Sequence, residues 1–448
     1  MVISMLKVLS IMIGKISIFV LKLLKRGSST PGTIALKIDK NLMDKFTLPK
    51  TVIAVTGSSG KGSISSMLAS VCRSSNLTVA HNIMGSNLTP GIVTLLLENS
   101  TLTGKIKKDV LIYEIDERYT KYVFKSIKPS IVVISNITRD QPPRQGHFDT
   151  VFNAIDSALT SDMHLILNGD DPYTRKFTFN HDCKVTYYGI DKNKYSYKVN
   201  KFENLNLNYC PKCGSRLEYN YYNFENTGDY YCTKCDFKRP KLHTTCTLID
   251  YNKNELIINN KYHMTVPANI LYTMYNCMAT LEASISMGLD IDNVVEIISK
   301  ISKNKKLLDT FNYKNRNVVV LNNKNENSST FNQSLLYVTR EKKQRTIVIG
   351  WKEISRRYNF DDLSWLYDID FELLNKIDIE KVVCVGIHRY DIATRLKLAG
   401  IKESKIIVFD NLVDATNYIK NKTKSDICGI LNFDYVKPFK ELMEEVWL

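Results

Sequence analysis

The sequence predicts an α/β protein: an open parallel sheet carrying a phosphate-binding loop, a four-cysteine ribbon inserted into it, and a second, smaller α/β unit. Three observations predict this. The apolar run Val52 to Val55 leads through Gly57, Gly60, Lys61, Gly62 and Ser63 into a helical run from Ile64 to Cys72. Apolar strands then recur with polar residues gathered at their C-terminal ends. Two CxxC pairs, Cys210/Cys213 and Cys232/Cys235, interrupt that alternation.

The first observation carries the chemistry. Glycines let backbone N–H groups crowd round an anion, a helix N-terminus adds partial positive charge, and a lysine adds a full one. A hydroxyl placed like that of Ser63 can ligate Mg²⁺. The spacing is not the common G-x4-G-K-[ST], because position 55 is Val. The plainer alternative is a glycine turn between a strand and a helix.

Bulk composition sets the frame. A chain of 448 residues is long for one domain, and 44% hydrophobic residues suffice for a large core. A net charge of +15 suggests an anionic partner, namely nucleic acid, a phosphorylated substrate or a membrane surface, although Asn and Lys are both abundant and part of that charge is expected to be composition bias. Ten cysteines, four of them in CxxC pairs, suggest metal in a reducing compartment rather than a disulfide framework.

Residues 1–30 read as an amphipathic helix and a linker. On a helical wheel Ser4, Lys7, Ser10, Gly14, Lys15, Ser17, Lys22, Lys25 and Arg26 share one half, and no acidic residue precedes Asp39. The lysines leave no apolar run long enough to span a bilayer, and no signal-peptide cleavage site follows. Two readings stand: a helix lying on an anionic membrane surface, or a helix packed on its own protein.

Residues 31–311 form the expected central nucleotide-binding domain. Strands at Leu111–Ile115, Ile131–Ser135 and Leu165–Asn168 end in Glu114, Asp116 and Glu117, in Asn136, Arg139 and Asp140, and in Asn168-Gly169-Asp170-Asp171-Pro172. Polar strand ends mark the ligand edge of such a sheet. Glu114, the first polar side chain at its strand end, fits a second Mg²⁺ ligand better than Asp116; a solvated surface acid is the alternative. Within 205–240 the cysteine pairs read as a Zn ribbon. Four thiolates leave the metal no open position, so it is expected to be structural. A stabilising insertion is preferred to nucleic-acid binding. Cys72, Cys183, Cys246, Cys277, Cys384 and Cys428 are expected as core thiols.

Residues 312–448 restart the strand–helix pattern as VVVLNN, FNQSLLYVTR, TIVIGW, KVVCVG, ATRLKLAG and KIIVFD, after a helical pair broken at Gly288.

These segments resemble the Mur ligase superfamily of ATP-dependent amide-forming ligases, and within it the MurT-type ligase subunits of lipid II isoglutaminyl synthase. The resemblance rests on LLKRGSSTPGTIALKIDKNL, VTGSSGKGS, GSNLTPGIVT (85–94), EIDE (114–117), NITRDQ (136–141), NGDDP (168–172), HRYDIATRLKLAG and DDLSWLYDIDFE (361–372). It implies a Mur-ligase-type central domain and a smaller Rossmann-like MurT-type C-terminal domain. Gly60, Lys61 and Ser63 would hold the ATP phosphates and Mg²⁺, with Glu114 completing the metal site. Asn168 and Asp171 would lie near the nucleoside, and Gly85, Ser86, Asn87 and Gly91 would face the acceptor. Ligases of this type work as a heterodimer with a GatD-like class I glutaminase. Asp362, with Asp361 and Asp368 as neighbours, is the expected residue completing the partner's triad; an exposed loop acid is the alternative.

The implied reaction is amidation of the D-glutamate α-carboxylate of lipid II through an acyl phosphate, in the cytoplasm, at the inner face of the membrane if the first helix touches lipid. The chain departs from the family at Gly57-Ser58-Ser59-Gly60-Lys61, at Pro142 to Gly146, at a Gly-Arg-x-Glu motif missing near Leu307, at NSSTFN (327–332) and at GWKEISRRYNF (350–360). Two other classes remain open. One is an amino-acid-adding ligase like folylpolyglutamate synthase. The other is a non-catalytic zinc-ribbon protein binding nucleic acid or a partner.

Overall fold

A computed structural model describes residues 5–24, 29–82, 86–139, 147–204, 207–304, 308–321, 327–352 and 362–444. Lys25, Arg26, Gly85, Asp140, Pro142 to Gly146, Leu307, Asp361 and most of 350–360 lie outside them. The chain opens with α1 (Met5–Leu23) and α2 (Thr30–Ile38). It continues through β1 (Thr51–Thr56), α3 (Lys61–Ser74), β2 (Val79–His81), α4 (Thr89–Asn99), β3 (Val110–Glu114), α5 (Thr120–Ser126), β4 (Ile131–Ile134), α6 (Phe148–Asp156), β5 (His164–Asn168) and α7 (Pro172–Arg175). Then come β6 (Lys184–Ile190), the hairpin β7 (Leu217–Phe224) and β8 (Thr227–Cys232), the meander β9 (Thr244–Asp250), β10 (Glu255–Ile258) and β11 (Tyr262–Thr265), and helices α8 (Leu271–Ser286) and α9 (Ile291–Lys303).

Among the described residues these strands build a nine-stranded sheet in the order β11-β10-β9-β6-β5-β4-β1-β3-β2, with the β7-β8 hairpin separate. Neighbours from β2 to β9 pair in parallel, and β10 and β11 add antiparallel. The interior strands are apolar at successive positions because both faces are covered. In β1, Ile53 and Val55 face a core shared with α3, α8 and α9, while Val52 and Ala54 face the core beneath α2 and α4. Cysteines 72, 246, 277, 384 and 428 are buried; Cys183 corrects the expectation, being only half-buried, with its thiol donating to the Thr160 carbonyl.

The second unit holds β12 (Leu308–Tyr313), β13 (Arg316–Leu321), α10 (Ser328–Val338), β14 (Arg345–Trp351), β15 (Ile379–Gly386), α11 (Arg389–Leu398), β16 (Ile406–Phe409), α12 (Leu412–Lys422), β17 (Asp426–Leu431) and α13 (Phe433–Glu444). Its six-stranded sheet runs β12-β13-β17-β14-β15-β16. We keep the expected division into units as a proposal, with β12 opening the second sheet at Leu308. Local signals explain the boundaries. Asp290 caps α9 by accepting from the Asn293 N–H, Asn327 caps α10 by accepting from Thr330, and Gly288 takes a left-handed φ of 91° between α8 and α9.

The two units share one apolar core. The cluster under α3 and α8 continues through Phe331, Trp351, Trp365 and Phe371 of the second unit. Polar bonds cross the same boundary. Arg139, just past β4, pairs with Asp368 at 2.9 Å and donates to Ser364. Asp370 accepts from the Glu203 and Asn204 N–H groups, and Gln333 accepts from the Tyr272 N–H.

The first helix also corrects the simple picture of it. It packs on α2 and α4, as one of the two readings held, through a narrow face of mixed character. Ser10, Ile11, Gly14 and Ile18 are buried, and the Ser10 hydroxyl donates to the Ala35 carbonyl. Met5, Leu6, Leu9, Met12, Ile16, Phe19, Val20 and Leu23 face outward.

Candidate active site

The loop from Gly57 to Gly60 joins the C-terminal end of β1 to the N-terminus of α3. Gly57 and Gly60 have φ of 117° and 85°, a region costly for other residues. Neither has room for a side chain: a Cβ on Gly57 would strike Ser135, and one on Gly60 would lie 2.5 Å from Asn276 Oδ1. Asn136, at the end of β4, ties the loop from the other side, its Oδ1 accepting from the Ser59 N–H at 3.0 Å. The Ser58 hydroxyl donates to the Thr138 carbonyl.

Lys61 opens α3 and turns back over the loop. Its ammonium donates to the Gly57 carbonyl and to Glu117 Oε1 at 2.5 Å. Burial works against the charge, but Glu117, with Glu114 and Asp116 behind it, more than reverses this and raises the pKa above that of an ordinary lysine. The nitrogen therefore stays protonated, with its charge compensated.

Glu114 ends β3 beside the same helix start. Its Oε2 lies 3.0 Å from where a Gly62 Cβ would sit, one residue before Ser63. Its Oε1 accepts from Asn87 Nδ2 at 3.0 Å, and Asn82 fastens its backbone from both sides. Asp116 is engaged instead by Arg118 at 2.9 Å, which leaves Glu114 as the strand-end acid facing Gly62. Ser86, next to Asn87, is buried, and its hydroxyl has no hydrogen-bond partner among the described residues.

Gly57, Gly60, Lys61, Gly62, Ser63, Glu114, Ser86 and Asn87 thus meet at one sheet edge. Asn168 and Asp171 end a strand two places away in the sheet. Asn168 accepts from the Asp170 N–H, and Asp171 caps α7, with burial pushing its carboxyl up to about 7. Sequence reasoning gave no role to Glu117, Asn82, Asn136 or Asn276. Glu117 and Asn136 stand inside quoted motifs, whereas Asn82 leaves no local signal.

The ribbon reaches this region. The sulfurs of Cys210, Cys213, Cys232 and Cys235 lie within 4.8 Å of one another, with Cys210–Cys235 and Cys213–Cys232 at 3.6 Å. A tetrahedral zinc site with Zn–S near 2.3 Å has an S–S edge of about 3.8 Å. Each knuckle turns tightly: the Gly214 N–H donates to the Cys210 carbonyl, and the Lys234 N–H to Cys232 Sγ. At the far end of the hairpin, the Gly228 N–H donates to the Asp170 carbonyl. Glu225 accepts from Asn332 at 3.0 Å and from Ser329 at 3.3 Å, both on α10. The hairpin tip therefore bridges the 168–171 turn and the second unit.

Asp362 lies at the start of the segment leading to Asp368. Its Oδ1 accepts from the Ser364 N–H at 2.7 Å. Partial burial opposes its charge, but that N–H and Arg139 outweigh it and hold the carboxyl below its usual range. Arg395 braces the same segment, donating to the Leu366 and Ile369 carbonyls and pairing with Glu372.

Fold and site together define the class, an ATP-dependent ligase of the Mur type. The Mur ligase middle domain family matches residues 55–219, and the MurT ligase C-terminal family matches 325–433. The chain is 29% identical to the lipid II isoglutaminyl synthase (glutamine-hydrolyzing) subunit MurT of Staphylococcus aureus (strain COL), covering 88% of this chain and 87% of that protein. It is 26% identical to the MurT subunit of Streptococcus pneumoniae (strain ATCC BAA-255 / R6), covering 97% and 96%. The fold is similar to a pseudomurein peptide ligase type C from Methanothermus fervidus, with a TM-score of 0.68, 19% identity and coverage of 91% and 81%. It is also similar to MurF from Acinetobacter baumannii, with a TM-score of 0.61, 15% identity and coverage of 92% and 80%. The chain thus carries a Mur ligase middle domain and a MurT ligase C-terminal domain, and it is similar to MurT subunits over most of its length.

The buried Glu225 makes the unit boundary pH-sensitive. Burial, with Asp370 and Asp171 nearby, raises its pKa from 4.5 to about 7. Between those values the folded chain holds a proton that the unfolded chain has released, so stability falls as pH rises through that window. Glu225→Gln is expected to flatten the slope. Denaturant unfolding at pH 5 and pH 8 checks this: the variant should match wild type at pH 5 and be more stable at pH 8 by about 1–3 kcal/mol.

Proposed function

We propose that the protein is the ligase subunit of a lipid II isoglutaminyl synthase, amidating the α-carboxylate of D-glutamate in lipid II. The observation that carries this reading is the meeting of Lys61, Glu114 and Asn87 at the edge of β1 and β3. The match to MurT subunits over most of the chain supplies the substrate class.

In this reading the loop N–H groups from Gly57 to Gly62 cradle the ATP phosphates, and Lys61 offsets charge on the transferred phosphoryl group. Ser63 and Glu114 would hold Mg²⁺, which when bound neutralises phosphate charge and orients the γ-phosphoryl group. A carboxylate placed there fits a hard cation. Asn168 and Asp171 line the nucleoside side. Ser86 and Asn87 face the acceptor, and the unpartnered Ser86 hydroxyl is available to it. The acceptor carboxylate oxygen attacks the γ-phosphorus and ADP leaves. Ammonia then attacks the acyl carbon, inorganic phosphate leaves, and the nitrogen gives up a proton, leaving the amide.

A GatD-like glutaminase supplies the ammonia. Asp362, kept ionised beside Ser364 and Arg139, orients the partner's histidine. The reaction belongs in the cytoplasm. The four cysteines hold a structural zinc, since four thiolates at these separations fit a closed tetrahedral site.

Reconstitution with a class I glutaminase, glutamine, Mg-ATP and lipid II tests the reading by mass spectrometry of the stem peptide. Amide should form with glutamine or with ammonium. A free amino acid joined without a glutaminase would decide against it. Asp362→Asn is expected to lower glutamine-driven turnover by about 100-fold or more while leaving ammonium-driven turnover in place. Metal analysis of the purified chain should find about one zinc per chain, lost in Cys210→Ser/Cys235→Ser.

A further inference from the structure

The outward face of α1 has no part in the site. Met5, Leu9, Met12, Ile16, Phe19 and Leu23 alternate at spacings of four and three, so they form one stripe along the helix. They are 42% to 88% exposed. A run of large apolar side chains left in water along a whole helix marks an interaction surface.

The inner face is fixed. Gly14 lies against Leu97, Lys15 donates to the Leu97 carbonyl at 2.6 Å, and Lys22 pairs with Glu98. The stripe therefore cannot turn inward without breaking the packing on α2 and α4. Lys15 and Lys22 flank one edge of it, and the sequence carries no Asp or Glu before Asp39.

We propose that this face docks the protein on an anionic lipid bilayer surface, with α1 lying in the headgroup plane. Charge decides between occupants. A second copy paired through the stripe would bring together two helices that each carry Lys7, Lys15 and Lys22 and no acid, with Glu98 alone opposite Lys22. An anionic surface instead attracts the lysines while the apolar stripe enters the acyl boundary. Among the described residues no helix is long and apolar enough to cross a membrane, and a one-sided stripe suits a helix lying on the surface. The proposal stands on α1 and not on the ligase reading.

Flotation of the full chain with vesicles tests it. Wild type should float with equimolar phosphatidylglycerol and phosphatidylcholine at least tenfold more than with phosphatidylcholine alone, and less at high salt. Ile16→Glu/Phe19→Glu should lose at least tenfold of that binding, and Phe19→Gln severalfold. Unchanged ADP binding and thermal melting would show that both variants fold. Amide formation on a soluble acceptor should persist in both, so failure of docking and failure of the ligase reading give different results. Absence of wild-type flotation, flotation undiminished in both variants, or a wild-type dimer in sedimentation that the double variant dissociates would each overturn the proposal.

Discussion

A lysine ammonium held at the end of a buried strand must be compensated, and the geometry around Lys61 follows from that requirement. Glu117 pairs with it directly, and the C-terminal ends of β1, β3 and β4 bring Glu114 and Asn136 alongside. The glycines at 57 and 60 let the chain pass where any Cβ would strike Ser135 or Asn276. A loop so enclosed by polar side chains is organised before any phosphate arrives, which lowers the ordering cost of binding one.

The second unit is tied to this edge through several points. Arg139 leaves β4 and reaches Asp368; the ribbon hairpin leaves the 168–171 turn and reaches α10. The cysteine cluster and the Glu225 tip occupy opposite ends of one two-stranded hairpin. A metal fixing the knuckles would steady a lever whose other end sits at the unit boundary. The ribbon is thus a strut between units rather than an appendage.

Much of this was legible in the sequence. The phosphate loop, the parallel strands, the cysteine spacing and the second α/β unit each follow from a local pattern, so each was readable from residues close together. The pairing of Lys61 with Glu117 and the hold of Asn82 on Glu114 join residues far apart in the chain, and local periodicity carries no trace of them. Asp170 was read only as part of a polar strand end. Its bonds to Arg239, at the end of the ribbon, and to Tyr275, on α8, depend on distant segments folding onto it, which composition does not encode. The first helix packs on its own protein, as one of its two readings held, but the wheel did not say which face would do so. Ile11 and Ile18 pack inward beside Gly14 and Ser10, which lie close against Leu97 and Ala35, while most of the large apolar side chains face out.

The central claim is that a triphosphate docks against Lys61 at the end of β1. Isothermal titration of the purified chain with Mg-ATP, beside Lys61→Ala, tests it most directly. The account predicts saturable binding by wild type and a fall of at least about tenfold in affinity for the variant, corresponding to loss of a charged contact near 1.4 kcal/mol or more. Equal affinity in the two proteins, or no binding by either, would contradict it.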